Sequence, residues 1–401
     1  MADEDDKKYL FYRCSTDRRV YDCSFLENSY AGMNASSVWL VGGGPSLLSA
    51  PVETIKDSPA PKFGVNLAGR GPDGEPPLIR PDLWTCFDPT ARFHRSIFLD
   101  ASIQKFLLGG RRMDLVPGGS EKVCECPNTY FINHKLRSYV DVVDQGHREI
   151  VHMLDSFWQA LDISFKLGFR KIYCVGCDMR IRPSEEQIAF AESVGVVYDR
   201  ERGLTVWQND KKVEVRSDRL SDFRDQVKEK GRFKDRSSAA LALEKVGRER
   251  QYSFGESKRF MAACACDNHY WDRIQYLRLS RRTFSLNGLQ LISCTPGSRL
   301  NDYFPYVSPF EAAKAILEDV GDPAKELSVG AYSGDEKPGG HLPFHKDLDP
   351  YGWREQPKVE VDPKAIAVGG LVEIPAPDKR EAIASQLAQL RQGKVDIVEE
   401  G

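Results

Sequence analysis

Long apolar runs are missing from this chain. No stretch approaches the roughly 18 consecutive apolar residues that a membrane helix needs, and the N-terminus, Met1-Ala2-Asp3-Glu4-Asp5-Asp6-Lys7-Lys8, is acidic where a secretory or organellar leader would be basic and apolar. The expectation is therefore a cytoplasmic protein with no membrane partner. A dominant charge is missing too: 56 Lys and Arg against 59 Asp and Glu leave a formal net charge of −3, so nothing global points to nucleic acid. The spacing Gly-x-Gly-x-x-Gly and the Lys-Ser/Thr of a P-loop do not occur at the chain's glycine-rich turn, which excludes the two commonest phosphate fingerprints there. Cysteine is not scarce, at ten residues, but the pairs Cys124/Cys126 and Cys264/Cys266 are too tightly spaced for a zinc knuckle. Cys174-Val-Gly-Cys177 lies along a predicted strand and its exit, and is read as two buried thiols. No internal repeat is present.

Against these absences stands one strong signal, Ser37-Val38-Trp39-Leu40-Val41-Gly42-Gly43-Gly44-Pro45-Ser46-Leu47-Leu48. Val38 to Val41 reads as a buried strand, the three glycines as a tight turn, and Pro45 onward as a helix start. Glycine lets backbone N–H groups approach a phosphate, and a helix start adds partial positive charge. Gly42, Gly43, Gly44, Pro45 and Ser46 are thus candidate nucleotide contacts, with the alternative that the turn only lets a helix pack on a sheet.

Further strands follow at 61–70, ending near Asn66, and at 83–89, ending at Asp88 and broken by Pro89. The spacing predicts helices over 92–106 and 147–167, the second closed by Gly168, then a strand running from Phe169 to Cys177-Asp178. Residues 179–262 leave this rhythm: 196–215 reads as a small hairpin or meander, and 220–250 as a charged helical stretch. The rhythm returns with a helix through Ile274, Leu277 and Phe284, a strand at 289–294, and the turn Thr295-Pro296-Gly297-Ser298. Ser308-Pro309 opens a last core helix to Val320, and 378–391 reads as an amphipathic terminal helix. Strands alternating with helices predict an α/β fold, a Rossmann-like, doubly wound and mostly parallel sheet. The expected organisation is an N-terminal extension laid over the core (1–36), a nucleotide-binding core in two parts (37–182 and 263–320), an inserted subdomain (183–262) and a Pro/Gly-rich tail (321–401), which wraps the surface or joins subunits of a homo-oligomer.

In such a sheet Asn66, Asp88, Asp178 and the 295–298 turn share the carboxyl edge, where open α/β sheets bind ligands. Asp88 and Asp178 are candidate Mg²⁺ ligands if the chemistry is metal-dependent. Arg70, Arg92 and Arg180, just past strand ends, are candidate phosphate partners. His269, between Asn268 and Tyr270, is the candidate general base.

Three segments in order, Val41–Leu47, Leu167–Asp178 and Cys294–Leu300, resemble the archaeal 6-hydroxymethylpterin diphosphokinase-like proteins, a family with many phage and bacterial members of unassigned reaction. The layout is also similar to bacterial sialyltransferases that use CMP-sialic acid. The resemblance covers roughly residues 38–178 and 267–318. It implies a nucleotide lying across Gly42–Ser46, contacts from Asn66 and from Thr295, Gly297 and Ser298, and a catalytic role for His269, with Asp178 as a second candidate. The expected function on this reading is a nucleotide-dependent transferase, a glycosyltransferase-like enzyme with a nucleotide-sugar donor at Gly42–Ser46; the alternatives are a Mg²⁺-dependent pterin-type diphosphokinase and a non-enzymatic phage or bacterial assembly protein that keeps the fold.

Overall fold

The computed structural model describes residues 9–14, 20–31, 36–69, 77–89, 93–111, 122–135, 142–144, 146–181, 185, 189, 196–199, 203–208, 211–214, 250–253, 256–258 and 260–320. Arg70, Arg92, the 220–250 stretch and the whole 321–401 tail with its terminal helix lie outside the described residues.

In chain order the strands are β1 (Phe11–Cys14), β2 (Val20–Asp22), β3 (Ser37–Val41), β4 (Lys62–Val65), β5 (Leu83–Thr85), β6 (Gln104–Leu108), β7 (Thr129–Ile132), β8 (His134–Lys135), β9 (Ile150–Val151) and β10 (Lys171–Val175). After these come β11 (Val196–Asp199), β12 (Gly203–Gln208), β13 (Lys211–Glu214), β14 (Arg250–Ser253), β15 (Glu256–Lys258) and β16 (Gln290–Ser293). The helices are α1 (Val52–Asp57), α2 (Ser96–Leu99), α3 (Ser156–Leu167), α4 (Phe260–Leu286) and α5 (Pro309–Val320).

Nine strands form one sheet in the order β16-β10-β3-β4-β5-β6-β7-β1-β2. The seven from β16 to β7 are parallel, and β1 and β2 add an antiparallel edge. The fold is thus the expected α/β, Rossmann-like, mostly parallel sheet. From β3 the chain steps outward through β4, β5, β6 and β7, then returns to the other side of β3 as β10 and continues to β16. Successive right-handed crossovers in opposite directions put their helices on opposite faces. α3, leading into β10, lies against β3, β4 and β5, whereas α5 packs on α1. Buried on both faces, the parallel strands read as continuous apolar runs: Val38, Trp39, Leu40 and Val41 are all at most 1% exposed. Trp39, Trp84 and Trp158 are fully buried, each covering on the order of 200 Å², or about 5 kcal/mol at ~25 cal/mol/Å².

Several local expectations give way to the fold. Residues 1–36 do not simply lie over the core, because Phe11–Cys14 pairs directly with β7. The helix expected over 92–106 shrinks to the four residues of α2, and β6 begins at Gln104. The helix expected from His147 starts only at Ser156, because Ile150–Val151 is a strand and Met153 and Leu154 sit at φ 46° and 57°, which no helix accommodates. α3 then opens on Asp155, whose Oδ1 accepts from the N–H groups of Phe157 (2.8 Å) and Trp158 (3.1 Å), and it closes on Gly168 at φ 108°. Polar pins hold this buried helix to the sheet: Gln159 Nε2 donates to Thr85 Oγ1 at 2.5 Å, and Thr85 Oγ1 donates to the Phe106 carbonyl at 2.6 Å. The meander expected over 196–215 is the sheet β11-β12-β13. Among the described residues no helix is long and apolar enough to cross a membrane.

Candidate functional site

The sheet has one topological switch point, between β3 and β10, whose following segments leave in opposite directions. The Gly42–Ser46 turn follows β3 and the Gly176–Ile181 segment follows β10, so both meet at that crevice. Their meeting explains the glycines. Gly42 N–H donates to the Val175 carbonyl and Gly44 N–H to the Gly176 carbonyl, each at 2.8 Å. A Cβ on Gly42 would come within 2.9 Å of Cys177 Sγ, and one on Gly44 would run into the Asp178 carboxylate. Two strand exits zipped this closely need residues without side chains.

Asp178 fills the turn. Its Oδ2 accepts from Ser46 Oγ at 2.7 Å and from Ser46 N–H at 3.4 Å. Burial pushes this carboxyl above the ordinary carboxylate value, against the pull of the Ser46 hydrogen bonds and the Arg180 charge. The amides of Gly44 and Ser46, expected to hold phosphate, are therefore engaged within the chain, and Pro45–Ser49 is a five-residue 3-10 turn with little dipole to offer. What the crevice presents is a half-buried carboxylate and hydroxyl pair, a match for sugar or ribose hydroxyls more than for phosphate.

The late turn is likewise spent on the fold. Thr295 Oγ1 accepts from Cys177 N–H (3.1 Å) and donates to the Cys174 carbonyl (3.2 Å), and Ser298 Oγ donates to the Cys177 carbonyl (2.7 Å). Both residues are buried, so their expected nucleotide contact is replaced by clamping β16 to β10; Gly297 stays exposed at φ 68°. Behind them lies a pair that the sequence did not advertise. Arg299 Nη2 meets Asp267 Oδ2 at 2.7 Å, and Asp267 Oδ1 accepts from Ile181 N–H at 2.7 Å. The strands that lead to the two candidate metal ligands Asp88 and Asp178, β5 and β10, stand three strand spacings apart, about 14 Å at ~4.8 Å each. Among the described residues no group of three or more His, Cys, Asp or Glu could hold a metal.

Helix lengths build the other wall. α3, with 12 residues, spans about 18 Å, matching the sheet, whereas α4, with 27, runs about 40 Å and continues past the carboxyl edge. His269, seventeen residues before the end of α4, comes level with the α3 N-terminus, and its Nε2 meets Asp155 Oδ2 at 3.2 Å. The side chain of Asn268 lies outside the described residues, and the ring of Tyr270 stands 6.2 Å from that of His269; the hydrogen-bond partners of His269 are Asp155 and, one turn on, Arg273. Burial alone would raise the Asp155 carboxyl. The hydrogen bond and charge of His269, the Trp158 amide and the Arg273 charge instead bring it below the ordinary value, so it is a carboxylate at neutral pH. Next to it Ser156 Oγ donates to Asn66 Oδ1 at 2.7 Å and accepts from Phe87 N–H at 2.8 Å, which joins the exits of β4 and β5 to α3. Asn66 (φ 52°), Met153, Leu154 and Met179 (φ 50°) are all non-glycine residues in the left-handed region, each costing roughly 1–3 kcal/mol, and all at this edge. Leu48 and Leu154 stand exposed on its rim. No family model, curated protein or solved structure matches the chain.

The segment behind Asn66 carries two opposed titrations. His152 is buried, stacks on Phe87 (4.9 Å) and accepts from Leu154 N–H through Nδ1 (3.0 Å); burial, then the charge of His134, pushes it down to about 4. Asp162 accepts from Val143 and Val151 amides, and burial pushes it up to about 6 against the pull of Lys166, those amides and His147. A lowered His contributes stability that is full above its ordinary 6.5 and is lost as pH falls towards 4. A raised Asp contributes stability that is full below its ordinary 3.8 and is lost as pH rises through 6. Between pH 4 and 6 the two slopes oppose one another. His152→Asn, which keeps an acceptor for Leu154 N–H, removes the first, so unfolding free energy from urea titrations should then fall as pH rises from 4 to 6, by up to about 3 kcal/mol. A variant with the same pH profile as the parent would refute both assignments.

Proposed function

We propose that the chain is a nucleotide-dependent transferase of the glycosyltransferase type, with a nucleotide-sugar in the crevice between the β3 and β10 exits. The observation that carries this reading is the His269–Asp155 pair, 3.2 Å apart at the carboxyl edge of the sheet beside its switch point. A half-exposed imidazole oriented by a buried carboxylate is the arrangement a general base requires. With Nε2–H given to Asp155, the lone pair lies on Nδ1. Nδ1 takes the proton of the acceptor hydroxyl as its oxygen bonds to the sugar's anomeric carbon. The bond from that carbon to the donor phosphate breaks, and the nucleotide leaves with the electron pair. Asp178 and Ser46 accept and donate to donor hydroxyls, and the exposed Leu48 and Leu154 give the rim an apolar surface for base or acceptor.

A thermal-shift panel of CMP-, UDP- and GDP-sugars and ATP, each with and without Mg²⁺, tests the proposal, because a ligand present at ~100 times its Kd stabilises the native state by about 2.7 kcal/mol. A rise with one class of nucleotide-sugar, without need for Mg²⁺, is expected. A Mg²⁺-dependent rise with ATP alone would transfer the site to phosphoryl transfer, and no rise with any ligand would favour an assembly protein.

A further inference from the structure

The nitrogen that the reaction needs is covered. Arg273, one turn after His269 on α4, lays its guanidinium along the imidazole edge, with Nη2 3.4 Å from Nδ1 and Nε 3.3 Å from Nε2. Nε2 carries the proton shared with Asp155 and cannot accept, so the Arg273 contact that is a hydrogen bond is the one to Nδ1. Among the described residues Arg273 has no carboxylate within salt-bridge distance. Its other neighbour is the face of Tyr276, 5.6 Å from the guanidinium carbon. An arginine pointing its donors at a neutral ring nitrogen, while half-buried at a ligand-binding edge, is under-used: a planar fork of N–H groups forms far stronger, bidentate bonds to a phosphate.

We propose that Arg273 is the phosphate-binding residue of this site, and that the phosphate of the bound substrate draws it off His269 and uncovers Nδ1. The phosphate then sits beside the base, with the Asp178–Ser46 pair at the other wall holding hydroxyls, so the donor lies across the crevice with its anionic end towards α4. The device also gives order to the reaction, because His269 can take a proton only when the donor is in place. The Asp155 carboxylate, bonded to the same ring at Nε2, partly balances Arg273 and opposes anion binding, so the affinity for phosphate alone should be modest. This inference uses the transferase reading to name the phosphate as the donor's, but its test does not depend on turnover.

The test is a titration of the full chain with inorganic pyrophosphate, followed at the His269 ring by ¹H–¹³C and ¹⁵N NMR, in the parent, Arg273→Gln and Arg273→Lys. In the parent, pyrophosphate should shift the His269 resonances, with Nδ1 moving as its hydrogen bond to the guanidinium is lost. Arg273→Gln should bind at least tenfold more weakly, and should show the Nδ1 signal of an uncovered nitrogen before any pyrophosphate is added. Arg273→Lys should recover only part of the affinity, since it keeps the charge but not the bidentate fork. Equal affinity in the Gln variant, or binding that leaves His269 unshifted, overturns the assignment. Loss of native spectra in the Gln variant would make Arg273 a structural residue and overturn it as well. Intact pyrophosphate binding together with a silent nucleotide panel would instead count against the transferase reading while leaving the Arg273 site standing.

Discussion

Arg299→Met alone should cost about 3–5 kcal/mol of unfolding free energy, enough to leave the chain largely unfolded at moderate urea. The guanidinium is 1% exposed and makes three contacts to two segments: Nη2 holds the Asp267 carboxylate of α4 at 2.7 Å, and Nη1 the carbonyls of Asp267 and of Met179 past β10, each at 3.2 Å. Methionine fills much of the same volume, so the loss is not mainly one of packing. It leaves Asp267, 4% exposed, charged and stripped of its counter-ion, and that carboxylate still binds only the Ile181 amide. The double variant Arg299→Met with Asp267→Leu removes both charges and should recover much of the loss, though not all, because Ile181 N–H and the Met179 carbonyl then lack partners. Equilibrium urea curves of the two single variants and the double variant form the cycle. A single-variant loss below 1 kcal/mol would show that water reaches this pair.

The same pair shows which parts of the molecule were legible in the sequence. Strands β3, β4, β5 and β10 announced themselves by short apolar runs stopped by Gly, Asn or Asp, and the stops fell at the carboxyl edge because a strand buried on both faces can end only where polar backbone finds water or a cap. Val38–Val41 and Ile172–Val175 are the clearest cases, and they bracket the switch point. Periodicity failed where two patterns overlap. Ile97, Phe98, Ile103 and Phe106 keep helical spacing, yet Phe106 belongs to β6, paired on both sides with β5 and β7. Ile150 and Val151 fall in phase with α3, but the left-handed Met153 and Leu154 separate them from it. Asp155 was accessible as an acidic residue just ahead of an apolar helical run, whereas its link to His269 spans 114 positions and leaves no local trace. The glycine turn carried half its meaning. Three glycines say that something approaches the backbone closely, but only the fold shows that it is Gly176 and Asp178. Arg299 and Asp267 look like any surface charges until α4 and the exit of β10 are brought together.

Asp155→Asn should reduce kcat by about 10²–10⁴, with the donor found by the stability panel, while leaving the thermal midpoint within a few degrees. The asparagine oxygen can still accept from Phe157 and Trp158 N–H groups, which preserves the α3 cap. Facing His269 Nε2, however, it places an amide where the carboxylate stood. An NH₂ in that position forces the proton onto Nδ1, so the base nitrogen is occupied and no longer points a lone pair at the acceptor. Asp155→Ala separates orientation from capping, because it removes both: its stability should fall by about 1 kcal/mol, and its turnover should fall no further than that of the Asn variant. KM for the donor should change little in either, since Asp155 lies behind the ring and touches no substrate, and the loss should persist across pH instead of moving to a new optimum. If Asp155 only caps the helix, Asn turns over like the parent and Ala alone is impaired, in proportion to its lost stability. Steady-state rates of the two variants, normalised to folded fraction, decide between a carboxylate that orients a base and one that merely starts a helix.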